Sequence, residues 1–78
     1  MPTVFSYGPY RFFLYSSDRD EPYHIHVERD DKVAKYWLDP IRLQDSGGFN
    51  RLELKQIRSI IEKNREFLME AWNEYFGR

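Results

Sequence analysis

Cysteine is absent from this chain of 78 residues. Disulfide bonds and thiolate metal ligands are therefore excluded, which leaves histidine and carboxylate side chains as the strong metal ligands. No apolar run approaches the roughly 20 residues that a membrane-spanning helix needs, and the first residues lack the basic-then-apolar order of a secretory signal. We therefore expect a cytoplasmic protein that does not contact a membrane.

An excess of charge of either sign is also absent. Twelve Lys and Arg residues stand against thirteen Asp and Glu residues, and the net charge is -1. Such a chain produces no global field that would attract nucleic acid or an anionic membrane. Binding of RNA would therefore require a local patch of basic residues.

Aromatic residues, in contrast, are abundant, with six Phe, six Tyr and two Trp. Each can bury a large area, so a chain of this length can form a core without covalent cross-links. Near residues 46–48, strand-like alternation gives way to helical spacing. We predict a single domain over residues 1–78, with the sheet in residues 1–45, a loop and helix cap in residues 46–50 and a helix in residues 51–76.

Two pairs of short segments, rich in aromatic and β-branched residues, predict two β-hairpins. The segments are residues 3–7, 10–16, 24–28 and 33–38. Between the hairpins, the charged residues 18–22 include a proline and predict an exposed loop. We therefore expect an α+β protein with an antiparallel sheet of about four strands, packed on one long or kinked C-terminal helix.

The second hairpin determines which side chains share a face of the sheet. A tight turn at Asp30 and Asp31 sets His26 opposite Lys35. Alternation then directs one apolar set to the core. This set is Ile25, Val27, Ala34, Tyr36 and Leu38. The other face of the two hairpins is expected to be open and to bind a partner. Its candidate binding residues are Arg11, Phe13, Tyr15, His24, His26, Lys35 and Trp37.

The C-terminal segment has the clearest pattern in the chain. Asn50 is a typical N-cap, and Glu53 is placed to complete a capping box. From there apolar residues recur at helical spacing. A continuous helix over residues 51–76 would be about 39 Å long, whereas a strand of six residues spans about 20 Å. The predicted helix is therefore longer than its sheet.

This difference in length has two solutions. The helix can bend near Asn64, the polar residue in the middle of the apolar stripe. Alternatively, the aromatic end of the helix projects and forms an interface with another chain. The residues of this end are Trp72, Tyr75 and Phe76.

His24 and His26 lie on the same face of their strand, with Ile25 between them. Neutral imidazoles and a carboxylate suit Zn²⁺, Fe²⁺ or Ni²⁺, so a divalent transition metal at the two histidines is one hypothesis. Glu28 shares their face but lies about 13 Å from His24 along an extended strand, too far to join them without a bulge. Histidine pairs of this kind also occur by chance, so no cofactor is the leading expectation.

The same face also has the residue types of a small ribonuclease. His26 can act as general acid or base, with Lys35 opposite it and Arg11 alongside to stabilise a phosphate. The aromatic side chains of this face could stack on unpaired bases. A protein partner makes fewer demands, because any exposed aromatic patch suits it.

Five motifs extend over almost the whole chain. They are Pro2-Thr3-Val4-Phe5, Gly8-Pro9-Tyr10-Arg11-Phe12-Phe13, Glu21-Pro22-Tyr23-His24-Ile25-His26-Val27, Ala34-Lys35-Tyr36-Trp37-Leu38-Asp39-Pro40 and Ala71-Trp72-Asn73-Glu74-Tyr75-Phe76. In combination they resemble a family of small bacterial proteins known only as a domain of unknown function. Tyr23 departs from this family, whose members usually have a second proline there. The resemblance implies no activity, but members are often encoded beside another small protein in arrangements like toxin–antitoxin pairs.

The leading hypothesis is therefore a small interaction module of a toxin–antitoxin-like or regulatory pair. Its partner would be a small adjacent-gene product or a second copy of the chain, and RNA is a further candidate ligand. The alternative is an enzyme, either a ribonuclease with His26 and Lys35 or a metal-dependent enzyme with His24 and His26.

Overall fold

The computed structural model describes residues 3–77 and contains five β-strands followed by two α-helices. The strands are β1 (Thr3–Tyr7), β2 (Tyr10–Phe13), β3 (His24–Arg29), β4 (Lys32–Leu38) and β5 (Ile41–Asp45). The helices are α1 (Arg51–Lys63) and α2 (Arg65–Phe76), and a 3₁₀ turn (Ser16–Asp20) connects β2 to β3. Pro2, which begins the first sequence motif, lies outside the described residues.

The strands form one antiparallel sheet in which neighbours in sequence are also neighbours in space, in the order β1-β2-β3-β4-β5. The α+β class and both predicted hairpins are confirmed, and His26 lies opposite Lys35 as predicted. The sequence predicts about four strands, and the structure adds β5. This strand is five residues long and mostly exposed, so it lacks the buried alternation that marks β4.

The hydrophobic core lies between one face of the sheet and the two helices. All five residues predicted for this face are buried, each with an exposed fraction of 2% or less. The helices contribute Ile57, Ile61, Leu68, Trp72 and Phe76. Removing a large apolar side chain from water contributes about 1.5–3 kcal/mol. This cluster is therefore what holds the helices on the sheet.

The C-terminal helix bends at Asn64, which is the first of the two solutions considered above. Asn64 ends α1 and begins α2, and its φ of -120° and ψ of 17° are not helical. Its Nδ2 donates to the Ile60 carbonyl at 2.8 Å, and the same carbonyl also accepts the Asn64 backbone N–H at 3.2 Å. On α2, Phe67 and Tyr75 are exposed, while Trp72 is fully buried.

The bend returns α2 to the sheet. Arg65 fixes the start of this helix, because its Nε donates to the Leu38 carbonyl at 2.7 Å. Trp72 and Phe76 belong to the core, with exposed fractions of 0% and 9%. The helix end therefore offers only Tyr75 of its three predicted interface residues as an exposed side chain.

Asn50 caps α1 as predicted, and its Oδ1 accepts the Glu53 N–H at 2.8 Å. The Glu53 carboxylate is used elsewhere and does not complete the predicted capping box. It lies 2.7 Å from Arg29 Nη2 and accepts the Tyr10 hydroxyl at 3.4 Å, so it links α1 to β3 and β2. No helix within residues 3–77 is long and apolar enough to cross a membrane.

Gly47, in the loop after β5, has a φ of +60° in the left-handed region. A Cβ atom there would lie 1.9 Å from the Val33 carbonyl oxygen. Gly47→Ala is therefore expected to lower the free energy of unfolding by about 3 kcal/mol, through backbone strain and overpacking. The midpoint of urea unfolding, followed by circular dichroism, measures this loss.

Gly8→Ala is the matched control, because Gly8 has a similar φ of +56° and open space around its Cβ position. It is expected to cost about 1 kcal/mol through strain alone. Equal losses in the two variants would mean that the close approach to Val33 is not what requires Gly47.

Candidate functional site

The sheet face that carries both histidines is covered at its centre, whereas the sequence predicts an open face. Three of its seven candidate residues are buried and the other four are half-buried. The 3₁₀ turn folds over this face and brings Asp18 against His24 and His26, which are 5%, 0% and 8% exposed. Phe13 beside them is 1% exposed. The prediction of an exposed loop over residues 18–22 is wrong for Asp18, because its carboxylate has partners on the sheet.

Hydrogen bonds of the Asp18 side chain and of its backbone hold the turn. Its Oδ2 accepts the Tyr15 N–H at 2.9 Å, and its own N–H donates to the Tyr15 carbonyl at 3.0 Å. Its carbonyl accepts the Glu21 N–H at 3.0 Å. Asp favours such turns because its side chain bonds to nearby backbone N–H groups. The turn therefore fixes one carboxylate above the sheet.

Asp18 Oδ2 contacts both imidazoles, at 3.0 Å from His26 Nε2 and 3.1 Å from His24 Nε2. The three residues offer two nitrogens and one oxygen within 4.8 Å of one another. The structure thus brings the predicted histidine pair together with a carboxylate that sequence reasoning missed. Glu28, the carboxylate considered from the sequence, lies 2.7 Å from Arg11 Nη2 instead. The sequence around Asp18 is typical of a turn. This signal does not show where the Asp18 side chain lies in the folded structure.

The surroundings of His24 determine where its proton lies. Nδ1 is 2.8 Å from the Pro22 carbonyl oxygen, which can only accept, so Nδ1 is the donor. In the neutral ring, Nε2 is then an acceptor. Among the described residues it has no hydrogen-bond partner, although Asp18 Oδ2 is 3.1 Å away. The Nε2 lone pair and the carboxylate oxygen are both acceptors and repel each other. A proton or a cation between these two atoms would make the contact favourable.

Asp18 stays ionised in this position. Burial by itself would raise its pKa, but the Tyr15 N–H and the two histidines bring the pKa below the ordinary value of 3.8. The pKa of His26 is also lowered, chiefly by burial and against the attraction of Asp18. His26 is therefore neutral at neutral pH, and the cluster offers a carboxylate oxygen beside an imidazole nitrogen.

The basic side chains of the predicted binding face are already paired. Lys35 Nζ lies 2.6 Å from Glu21 Oε1, and Arg11 Nη2 lies 2.7 Å from Glu28 Oε1. Because these ion pairs compensate their positive charges, Lys35 and Arg11 do not form the local basic patch that RNA binding requires. A catalytic role of Lys35 with His26 stays a prediction, and the ion pair with Glu21 gives it no support.

Aromatic rings surround the two histidines. The ring centroid of His26 is 4.7 Å from that of Tyr15. His24 meets both tryptophans edge-on, with centroids 5.6 Å from Trp37 and 4.9 Å from Trp72. Trp72, which the sequence offered for an interface, is therefore part of the wall of this cluster. The rings that were expected to stack on bases pack on the histidines and exclude water from them.

Asp18, His24 and His26 lie inside a segment that matches a known family. The model of a family described as "Domain of unknown function (DUF4160)" matches residues 10–73. The chain belongs to the DUF4160 family. No curated protein and no solved structure matches it. Membership in DUF4160 assigns no activity, so a function has to be argued from the geometry.

This DUF4160 chain has a second surface of interest, along β1 and α2. Tyr7 is 57% exposed and Phe67 is 51% exposed. Phe5 is half-buried between them, with ring centroids 6.5 Å from Tyr7 and 5.9 Å from Phe67. These three residues are named the β1–α2 strip. The sequence pattern gave no sign of it, because helical spacing includes Phe67 in the apolar stripe.

α2 also carries three exposed glutamates at intervals of four residues, named the glutamate row. They are Glu66, Glu70 and Glu74. None of them forms an ion pair within residues 3–77. A groove of about 380 Å³ is lined by Phe67, Ala71 and Asn73 together with two glutamates of the row. An apolar ring and uncompensated negative charge therefore meet in one groove.

Replacing Asp18 measures what the closed turn contributes to stability. In Asp18→Ala, the Tyr15 N–H and His26 Nε2 lose their partner, so we expect the free energy of unfolding to fall by about 2–4 kcal/mol. Urea unfolding at neutral pH in the presence of EDTA measures this loss without any contribution from metal.

Asp20→Ala is the matched control, because Asp20 is an exposed carboxylate in the same turn. Its stability should stay within about 0.5 kcal/mol of the wild type. If Asp18→Ala lost no more than this control, the Asp18 carboxylate would not be what holds the turn on the sheet.

Proposed function

We propose that this DUF4160 protein is a small interaction module that binds an extended basic segment of a partner protein along the β1–α2 strip. The observation that carries the proposal is the exposed aromatic strip beside an uncompensated glutamate row. Isolated domains seldom leave such a surface uncovered. The partner would be a small adjacent-gene product, in a toxin–antitoxin-like or regulatory pair.

The edge of the sheet supports this mode of binding. β1 is an edge strand, and no strand among the described residues pairs with its outer side. An extended peptide can add to such an edge through backbone hydrogen bonds, while its side chains enter adjacent pockets. The opposite edge, β5, exposes Leu43 but contains no aromatic residue. β1 is therefore the favoured edge.

The glutamate row defines the chemistry of the partner. Arg65 is the single basic residue of α2 and is bound to Asp39 at 2.9 Å, so the row has no compensating charge on its own helix. Lys or Arg side chains of a partner would meet the row, and an apolar side chain would contact Phe67. A second copy of the chain fits less well, because a symmetric dimer through the strip would bring two glutamate rows together.

The charges favour protein over RNA. The glutamate row repels phosphate groups, and Arg11 and Lys35 are compensated by Glu28 and Glu21. RNA cleavage by His26 is not favoured either, because this residue is 8% exposed and offers little surface to a polynucleotide. The partner-binding function is thus the one that the geometry supports best.

Native mass spectrometry of the protein purified from its own host provides the first test, because it identifies bound protein or RNA by mass. We expect a stoichiometric small basic protein. Biolayer interferometry with that partner then compares variants. Phe67→Ser is expected to weaken binding at least about tenfold, since it removes a central aromatic contact. Glu70→Lys is expected to slow association, most strongly at low salt.

Leu52→Ser is the matched control, since Leu52 is an apolar residue of α1 that is 66% exposed. It should bind like the wild type, and circular dichroism verifies that every variant is folded. The proposal fails if the partner binds Phe67→Ser and Glu70→Lys with the kinetics of the wild type, or if the purified protein carries RNA in place of a protein.

A further inference from the structure

We propose that Asp18, His24 and His26 form a binding site for one divalent transition-metal ion, with Zn²⁺ as the best match. The site is separate from the β1–α2 strip, and the argument for it does not depend on the proposed function. The two histidines supply imidazole nitrogens and Asp18 supplies a carboxylate oxygen.

The donor set selects for this class of ion. Imidazole and carboxylate together bind Zn²⁺, Fe²⁺ and Ni²⁺, whereas Ca²⁺ and Mg²⁺ prefer oxygen donors alone. The chain contains two histidines and no cysteine. All of its imidazoles are therefore gathered around one carboxylate.

The distances are close to those of a metal chelate. With bonds of about 2.0–2.2 Å, two ligand atoms on a tetrahedral zinc lie about 3.4 Å apart. Asp18 Oδ2 already lies 3.0 Å from His26 Nε2 and 3.1 Å from His24 Nε2. All three ligand atoms lie within 4.8 Å of one another. Small rotations of the imidazoles would therefore bring them to a common ion.

His24 has the environment of a metal ligand. Its Nδ1 donates to the Pro22 carbonyl at 2.8 Å, which orients the ring and directs the Nε2 lone pair away from the backbone. Nε2 is buried without a hydrogen-bond partner among the described residues, and Asp18 Oδ2 lies 3.1 Å from it. An unsatisfied buried acceptor destabilises the folded state. A cation bound to both atoms would remove this destabilisation.

The charge of the cluster also favours a cation. Asp18 places a carboxylate in a site where its side chain is 6% exposed. Burial and, to a smaller extent, the positive charge of the Lys35 ammonium lower the pKa of His26. This ammonium is already bound to Glu21 at 2.6 Å. A buried charge is stabilised when an opposite charge joins it.

A metal ion here would hold the 3₁₀ turn on the sheet, because Asp18 belongs to the turn and both histidines belong to β3. Three protein ligands with an open fourth position are typical of catalytic zinc. Here aromatic rings cover the cluster, and even His26, its most exposed member, is 8% exposed. A stabilising role therefore fits better than a catalytic one.

The test uses tag-free protein that has been stripped with EDTA and dialysed into buffer without chelator. Isothermal titration calorimetry with ZnCl₂ should show one saturable site per chain. At a hundredfold excess of Zn²⁺ over Kd, we expect the melting temperature to rise by about 10 °C. Co²⁺ provides a second probe, because the intensity of its visible absorption bands reports four-coordinate binding.

Asp18→Asn keeps the size of the side chain and an acceptor for the Tyr15 N–H, and should weaken Zn²⁺ binding at least about a hundredfold. Asp20→Asn makes the same change on an exposed residue of the same turn and should bind like the wild type. Since the chain has two histidines, ¹⁵N spectra of the wild-type imidazoles show whether Zn²⁺ shifts both rings. This measurement stays decisive even if Asp18→Asn does not fold.

Lack of a saturable site, or imidazole signals that Zn²⁺ leaves unshifted, would overturn the proposal. Equal affinities of folded Asp18→Asn and Asp20→Asn would do the same. A proton shared by His24 and Asp18 would then be the link between these two side chains. None of these results depends on partner binding at the β1–α2 strip, so the two proposals are tested separately.

Discussion

The contacts of the Asp18 carboxylate are the interactions on which the arrangement of this chain depends. This carboxylate accepts the Tyr15 N–H, which shapes the 3₁₀ turn, and it contacts both histidines, which closes the turn over the sheet. Once this face is closed, its aromatic rings serve as packing for the histidines and not as a platform for a ligand. The surface left for a macromolecule lies along β1 and α2, where side chains are exposed and the glutamate row forms no ion pair within residues 3–77.

The bend at Asn64 links the two halves of this arrangement. It brings α2 back to the sheet, so that Trp72 reaches His24 and forms part of the closed cluster. On the outer side of the same helix, Phe67 and the glutamate row are exposed. α2 therefore completes a dry cluster on one side and presents a charged, partly apolar surface on the other.

The sequence was informative wherever a short-range period controls the structure. Alternation in β3 and β4 predicts which side chains enter the core. Helical spacing with a length argument predicts either a bend near Asn64 or a projecting helix end, and the structure has the bend. Side chains in irregular segments follow no period. Asp18 could not be placed from the sequence, because its position depends on a hydrogen bond to Tyr15 and on burial against β3. β5 was missed for a related reason, since it is an edge strand with little buried surface.

The order of the strands has a further consequence, for how the chain folds. Every strand pairs with the strand next to it in sequence, and β3 and β4 are separated by two residues. Short loops lose little entropy on closure, and sheets built from sequence neighbours form faster than sheets with distant pairings. The sheet can therefore grow one hairpin at a time, in the order in which a ribosome releases it. The helices follow the strands in sequence and can cover the sheet once its hairpins have formed.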